Sequence, residues 1–409
     1  MSKHPRLFAV LAALAIAACG DATITAPDDD RSLERGASSD AARAASPIVA
    51  DHTPAVRWNE LARTLVADNR IDPPMASRYY ALLGVAQYAA ARKAIDAGGR
   101  SDHDRPSRDA LLGAVSAASA EVLAAEFPND MPRIRAVEQA DAAPFTVRGA
   151  QPKFFFAGRE MGRLAAAKVL SDAKSDGADG QWRGTVPVGD GFYAGATPAR
   201  PYWSTVRPWF LRSSDQFRPP PPPSFGSAEF LAAVAEVRRI SDTRTPEQLA
   251  IATFWADGAG TMTPPGHWNR IAGELVEKYG LGDVEAAQVF ALLGMTLMDA
   301  GIACWEAKYA YWFLRPWQAD PLITTPIGKP NHPSYPSGHA TYSGAAAEVL
   351  GALFPAERES VRAMAEESAM SRLYGGIHYR FDNDQGLVLG RKVGALALAS
   401  WQSQTVARR

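Results

Sequence analysis

Apolar and small residues recur at three- and four-residue spacing through most of this chain, the pattern of helices that bury one face. It is clear in Tyr79 to Ile95 (YYALLGVAQYAAARKAI), Arg108 to Phe127, Phe156 to Ala173, Ala228 to Ile240, Arg244 to Gly258 and Val284 to Leu314. None of these long apolar segments alternates apolar and polar residues as a half-buried strand would. Two polar or proline-rich stretches interrupt the pattern, Lys174 to Pro201 and FRPPPPPSF (Phe217 to Phe225). A proline run cannot form helix interior, so the second reads as an extended strap on the surface. Ala81-Leu82-Leu83-Gly84 returns as Ala291-Leu292-Leu293-Gly294, an echo that tandem helical bundles would produce. The expected fold class is all-α, as two packed bundles over 55–240 and 241–409.

The N-terminus follows a different pattern. Lys3, His4 and Arg6 precede an apolar run, Leu7 to Ala18, that is too short to span a membrane and reads as a secretory signal peptide over 1–19. Its end, Ile16-Ala17-Ala18-Cys19-Gly20, resembles the bacterial lipoprotein box. That resemblance implies lipidation of Cys19, export across the inner membrane and a lipid anchor at the periplasmic or cell-surface side. Residues 20–54, rich in Asp, Ser, Ala and Arg, read as a flexible tether. No second span is expected, because Asp299, Glu306 and Lys308 interrupt the apolar stretch from Leu281 to Leu314.

Composition changes this picture little. With 409 residues, 47% hydrophobic, and a formal net charge of −1, the chain is an ordinary globular one with no sign of a nucleic-acid partner and room for a homo-oligomer. Cys304, in an apolar helical stretch, reads as a buried inert thiol, so no disulfide framework is expected.

Candidate chemistry falls into three clusters. Lys308 and Arg315 stand seven residues apart, which returns two cations to nearly the same helix face, and Pro316 ends that helix. In Pro336-Ser337-Gly338-His339 the serine offers a hydroxyl, the glycine lets a backbone N–H approach an oxyanion, and the histidine can move a proton on the first turn of a helix. In Ser371-Arg372-x5-His378-x3-Asp382 the arginine fork suits a tetrahedral anion, and the carboxylate can fix the tautomer of His378 or cap a helix from about Asn383 to Gln402. His267, in TPPGHWN, reads as a loop-shaping residue, and Trp203, Trp209, Trp255, Trp268, Trp305 and Trp312 as packing.

In order, these positions match K-x6-R-P, P-S-G-H and S-R-x5-H-x3-D, and so the chain resembles the superfamily of type 2 phosphatidic acid phosphatases and vanadium-dependent haloperoxidases. FWADGAGTMTPPGHWNRIA, FRPPPPPSF, RTPEQ and GIACWEAKYAYWFLRPW, between about Arg200 and Ala399, resemble its bacterial vanadium haloperoxidase-like branch. The resemblance implies His339 as acid–base residue and His378, oriented by Asp382, as the only protein ligand of the vanadium. It implies Lys308, Arg315, Ser337, Gly338 and Arg372 as the oxyanion cradle and His332 as a halide-side residue. The activity implied is vanadate-dependent oxidation of halide by hydrogen peroxide, bromide or iodide before chloride, with a small organic acceptor. The alternatives are a metal-free acid phosphatase acting through a phosphohistidine at His378, and a catalytically inactive oxyanion-binding lipoprotein.

Overall fold

The structure, a computed structural model, describes residues 53–98, 105–147 and 152–407. The signal segment, Cys19 and the tether up to residue 52 lie outside the described residues. The chain is all-α, and among the described residues there is no strand, only an isolated bridge between Phe192 and Phe313. In order the helices are α1 (Pro54–Asp68), α2 (Pro73–Gly98), α3 (Arg105–Glu126), α4 (Met131–Ala142), α5 (Lys153–Ala173), α6 (Ala228–Thr243), α7 (Pro246–Phe254), α8 (Thr263–Lys278), α9 (Asp283–Tyr311), α10 (Pro316–Ala319), α11 (Gly338–Leu353), α12 (Arg358–Tyr374) and α13 (Arg380–Ala407). All described residues belong to one packing unit, and the boundary expected near residue 240 falls at the end of α6.

Helix α9 is the axis of the fold. It is buried on all sides from Ala286 to Lys308 apart from one position, as expected of a helix apolar all round. By length and composition alone it could cross a membrane, but 94% of its apolar window is buried inside the protein. The acids Asp299 and Glu306 do not disturb this, because each has a partner. Asp299 accepts the backbone N–H groups of Trp209, Phe210 and Leu211 at 2.7, 2.8 and 3.0 Å, and Glu306 pairs with Arg218. The residues they hold belong to the non-helical strap between α5 and α6, which Tyr311 and Tyr335 also bind by donating to the Pro219 and Pro220 carbonyls.

Helix α2 packs on α9 through the repeated tetrapeptide. A Cβ on Gly84 would lie 2.6 Å from the Phe290 carbonyl oxygen, and one on Gly294 would lie 2.9 Å from Cα of Ala81. Each repeat therefore packs against its counterpart. A second close approach joins α11 and α13, where a Cβ on Gly386 or Gly390 would sit 2.7 Å from the Ser337 carbonyl oxygen or 2.1 Å from that of Thr341. That contact sets the start of α11 directly against the first turns of α13, and the site residues lie at those ends.

Candidate active site

The residues of the three clusters meet where α9 ends, α11 begins and the α12–α13 loop turns. Lys308, on the last turn of α9, is wholly buried. Its ammonium donates to the carbonyls of Pro333, Ser334 and Pro336 at 2.9, 2.8 and 2.5 Å. The first cluster thus holds the loop that leads into the second. Burial pushes Lys308 down to about 7, whereas three carbonyl acceptors work the other way, because only the ammonium has three donors.

Arg315 is equally buried at the start of α10. It donates to the His332 and Ile377 carbonyls at 2.9 and 2.7 Å, and its Nη1 and Nη2 lie 3.0 Å from Nε2 of His378 and Nδ1 of His332. A guanidinium accepts nothing, so both ring nitrogens must accept. For His378 this leaves the proton on Nδ1, which donates to Oδ2 of Asp382 at 2.8 Å. The same oxygen takes Ser334 Oγ at 2.5 Å and the Tyr379 N–H at 3.2 Å, while Oδ1 has no partner.

Burial, then Arg315 and Lys308, hold His378 well below the usual histidine range. Burial lifts Asp382 to about 6, against the pull of Ser334, Lys308 and Arg315. A neutral imidazole with its lone pair on Nε2 is the form that attacks phosphorus or ligates a metal. Asp382 does not stand at the N-cap expected of it. The helix starts earlier, at Arg380, and Asp382 reaches back from the first turn to the Tyr379 N–H, the reciprocal half of a capping box.

Ser337 is the N-cap of α11, with Oγ 3.4 Å from the Ala340 N–H, and its own N–H donates to the Asp382 backbone carbonyl at 2.9 Å. A Cβ on Gly338 would make ordinary van der Waals contact, 3.5 Å from the Trp305 ring and 4.0 Å from Cε of Lys308, so the glycine leaves room for one methyl group beside the cation. His339 follows on the first turn, and its Nε2 is buried with no hydrogen-bond partner. Burial and Arg372 lower its basicity, while Asp257 and the Ala256 backbone raise it. His332 stands beside Trp305, ring centroids 5.1 Å apart, and burial, Lys308 and Arg315 keep it neutral.

Lys308, Arg315, His332, His378 and Asp382 are thus bonded into one group, directly or through the 332–337 loop. Arg372 is bonded to none of them. Its fork donates to Ser371 Oγ at 2.8 Å and to the Ala252 carbonyl at 2.9 Å, facing the last turn of α7 and standing beside His339. Burial lowers it to about 9, and Asp257 opposes the shift. The clusters did not reveal Asp257 and Ser334. Ser334 stands three residues before Ser337, just outside the Pro336–His339 turn, a readable signal, whereas Asp257 is far from every cluster in sequence and arrives through the fold. His267 is not a loop residue. It lies inside α8, because Pro264 and Pro265 occupy first-turn positions, where proline starts a helix instead of breaking it.

Three buried cations, a glycine that leaves room and an unpartnered His339 Nε2 fit a tetrahedral oxyanion such as phosphate or vanadate. Among the described residues no cluster of three or more His, Cys, Asp and Glu side chains is arranged for a bare metal cation.

The fold and sequence can also be compared with known proteins. The family model of the VCPO second helical-bundle domain matches residues 355–406. The vanadium chloroperoxidase of Curvularia inaequalis is 28% identical in an alignment 193 residues long that covers 37% of this chain and 32% of that protein. The match therefore spans about a third of that relative's length. The non-specific acid phosphatase of Providencia stuartii is 28% identical over 188 residues, 44% of this chain and 71% of the phosphatase. The crystal structure of a bacterial vanadium-dependent iodoperoxidase superposes with a TM-score of 0.72 at 25% identity, covering 87% of this chain and 97% of that one. On the fold, the placement of the three clusters and these likenesses, the chain belongs to the superfamily that joins vanadium haloperoxidases with the acid phosphatases related to them.

Proposed function

We propose that this protein is a vanadate-dependent haloperoxidase that oxidises iodide or bromide with hydrogen peroxide to the hypohalous acid. The observation that carries the reading is the extent of the likeness to the iodoperoxidase. The superposition covers 87% of this chain and 97% of the iodoperoxidase, whereas the sequence match to the acid phosphatase covers 44% of this chain.

Nε2 of His378 would hold vanadate, with Arg315, Arg372, the Ser337 hydroxyl and the Gly338 N–H taking its oxygens and the Lys308 ammonium, whose three protons go to the 333–336 loop, supplying positive charge beside them. When bound, vanadate supplies Lewis-acid activation of peroxide toward halide. This chain's own work is then binding and proton transfer. Asp382 keeps the His378 proton on Nδ1. His339, neutral and with Nε2 unpartnered, accepts a proton from the incoming oxidant and returns it to the leaving oxygen. His332 lines the halide side, close to Trp305.

The second reading, an acid phosphatase with His378 as nucleophile and His339 as proton donor, is supported by the Providencia enzyme's match over 71% of its own length. Purified apoprotein assayed for bromide and iodide oxidation with vanadate and peroxide, beside phosphate-ester hydrolysis without them, separates the two. Rapid ester hydrolysis with a trappable phosphohistidine, and no halide oxidation over a broad pH range, would replace the first reading by the second. We further propose that the protein is exported and anchored through lipidated Cys19. Labelled fatty acid should enter the wild type and not Cys19→Ser, and soluble unlabelled wild type would show a plain cleaved signal instead.

A further inference from the structure

Two histidines of this chain are wired alike, and only one of them belongs to the three clusters. His378 accepts from Arg315 at Nε2 and donates from Nδ1 to Asp382. His267 has Arg270 Nη2 at 2.9 Å from its Nε2, and its Nδ1 lies 3.2 and 3.1 Å from Oδ1 and Oδ2 of Asp257. Since an arginine can only donate, Nε2 of His267 accepts and the proton stands on Nδ1, pointed at the carboxylate. The ring has little freedom to leave this orientation. It stacks on Trp255 with centroids 4.3 Å apart and planes 16° from parallel, and Phe254 meets it edge-on at 5.1 Å.

What His267 holds is the wall of the candidate site. Asp257 is buried and left-handed, with φ of 43°, a conformation that aspartate tolerates but that its surroundings must maintain. Burial would raise its pKa, yet the hydrogen bond from His267 and the nearby Arg372 guanidinium hold the carboxyl below its ordinary value. The cluster arginine on this side leans on the segment that ends at Asp257. Arg372 donates to the Ala252 carbonyl at 2.9 Å and, at 3.5 Å, to that of Ala256, and its charge and that of Asp257 both bear on His339.

We infer that His267 is a positioning residue for the oxyanion site: by fixing the Asp257 carboxylate it sets Arg372 and His339 in place. The inference rests on reading the pocket as an oxyanion site. The competing explanation is that His267 is merely a ring packed against Trp255.

Two substitutions separate these. His267→Asn keeps an N–H where Nδ1 stands but removes the ring from Trp255, and His267→Phe keeps the ring and removes the N–H. The measurement is calorimetric binding of orthovanadate and, separately, inorganic phosphate to the purified protein, with thermal unfolding recorded alongside. A positioning role predicts that His267→Phe loses about tenfold or more in anion affinity, the worth of one charge-assisted hydrogen bond, while His267→Asn stays within about threefold of wild type. A packing role reverses that order, and His267→Phe binding like wild type overturns the inference. Arg270→Leu, at the half-exposed rim of α8, gives an independent check without disturbing the buried ring. It frees Nε2 and so the tautomer, and weaker anion binding with unchanged unfolding is the expected result. Losses of affinity that merely track losses of stability across the three variants count against the inference. If wild type itself binds neither anion, the oxyanion reading fails and the inference with it. If wild type binds and His267→Phe binds equally well, only the inference fails.

Discussion

Nη1 of Arg315 lies 3.0 Å from Nε2 of His378, so the lone pair that would bind vanadium or attack phosphorus is covered by a cation's N–H. An anion oxygen arriving here is a better acceptor for the guanidinium than a neutral imidazole is. Arg315 can therefore exchange the ring for the anion, and the same event frees Nε2. The two residues form a unit in which binding the anion prepares the ligand, provided the His378 proton stays on Nδ1.

That condition falls to Asp382, and Asp382→Asn tests it. The carboxylate oxygen that takes His378 Nδ1 also takes Ser334 and the Tyr379 N–H, and an amide offers only one acceptor atom and no charge for this set. Orthovanadate or phosphate affinity, read by calorimetry, should fall about 10- to 100-fold, the usual cost of removing the residue behind a metal-ligating histidine. Unchanged affinity would show that Arg315 alone fixes the ring.

Gly338→Ala should separate binding from stability. The added methyl group meets Trp305 at 3.5 Å and Lys308 at 4.0 Å, which is ordinary contact, and alanine in a first helical turn gains about 0.4–1 kcal/mol over glycine. The urea midpoint should hold or rise. The methyl nevertheless occupies the space beside the Lys308 side chain, so anion affinity should drop. A variant that binds as wild type does would place the anion elsewhere.

How much of this was legible in the sequence differs between elements. Periodicity gives the helix over 284–314 to within three residues at each end, because it is long and its apolar spacing is unbroken, whereas the helix over 79–95 starts six residues earlier, at Pro73. His378 and Asp382 are readable as a pair because the carboxylate follows the histidine by four residues, although His378 lies in the loop before α13 and Asp382 reaches back to it from the first turn. Asp257 was not, since it reaches His339 only through the packing of α7, α8 and α12, and spacing carries no information about that. The repeated Ala-Leu-Leu-Gly was visible as an echo, but its physical meaning, two glycines that let α2 and α9 touch backbone to backbone, needed both helices in place. Lys308 was read as a cation facing an anion, and its three bonds to the 333–336 loop show a structural role that no motif announces.

Asp299 gives a pH prediction. Burial lifts its carboxyl to about 6, against three backbone N–H donors that favour the ionised form. A carboxyl whose folded pKa lies above its unfolded value adds stability that is complete below about pH 4 and is lost as the pH rises through about 6. Asp299→Asn cannot titrate, and its amide N–H₂ would face a backbone N–H of the strap, which costs about 1–3 kcal/mol at pH 7. The stability gap between wild type and variant should therefore widen, in favour of wild type, as the pH is lowered from 7 to 5 in chemical denaturation. A gap that narrows would mean the three N–H groups dominate and the carboxyl lies below its ordinary range.

The last prediction links packing to chemistry. Gly390 is where α13 comes nearest α11, and a Cβ there would stand 2.1 Å from the Thr341 carbonyl oxygen and 2.7 Å from the Ala345 nitrogen. These are backbone atoms of a helix interior and cannot rotate aside, so Gly390→Ala must push the two helices apart. Overpacking of this kind costs about 1–3 kcal/mol, and contacts this short put it at the upper end. The displacement also moves α11, with Ser337, Gly338 and His339, away from α13, whose first turn carries Asp382. The Ser337 N–H bond to the Asp382 carbonyl, 2.9 Å long, spans that gap. Anion affinity should thus fall by more than the lost stability explains, even at temperatures where the variant is fully folded. Gly394→Ala, three turns from the site, overpacks the same helix pair away from it, against Cβ of Glu348 at 2.7 Å and the Ala345 carbonyl oxygen at 3.1 Å, and serves as the control. If both variants lose anion affinity equally, the site is insensitive to the α11–α13 separation and the argument that this contact sets its geometry is wrong.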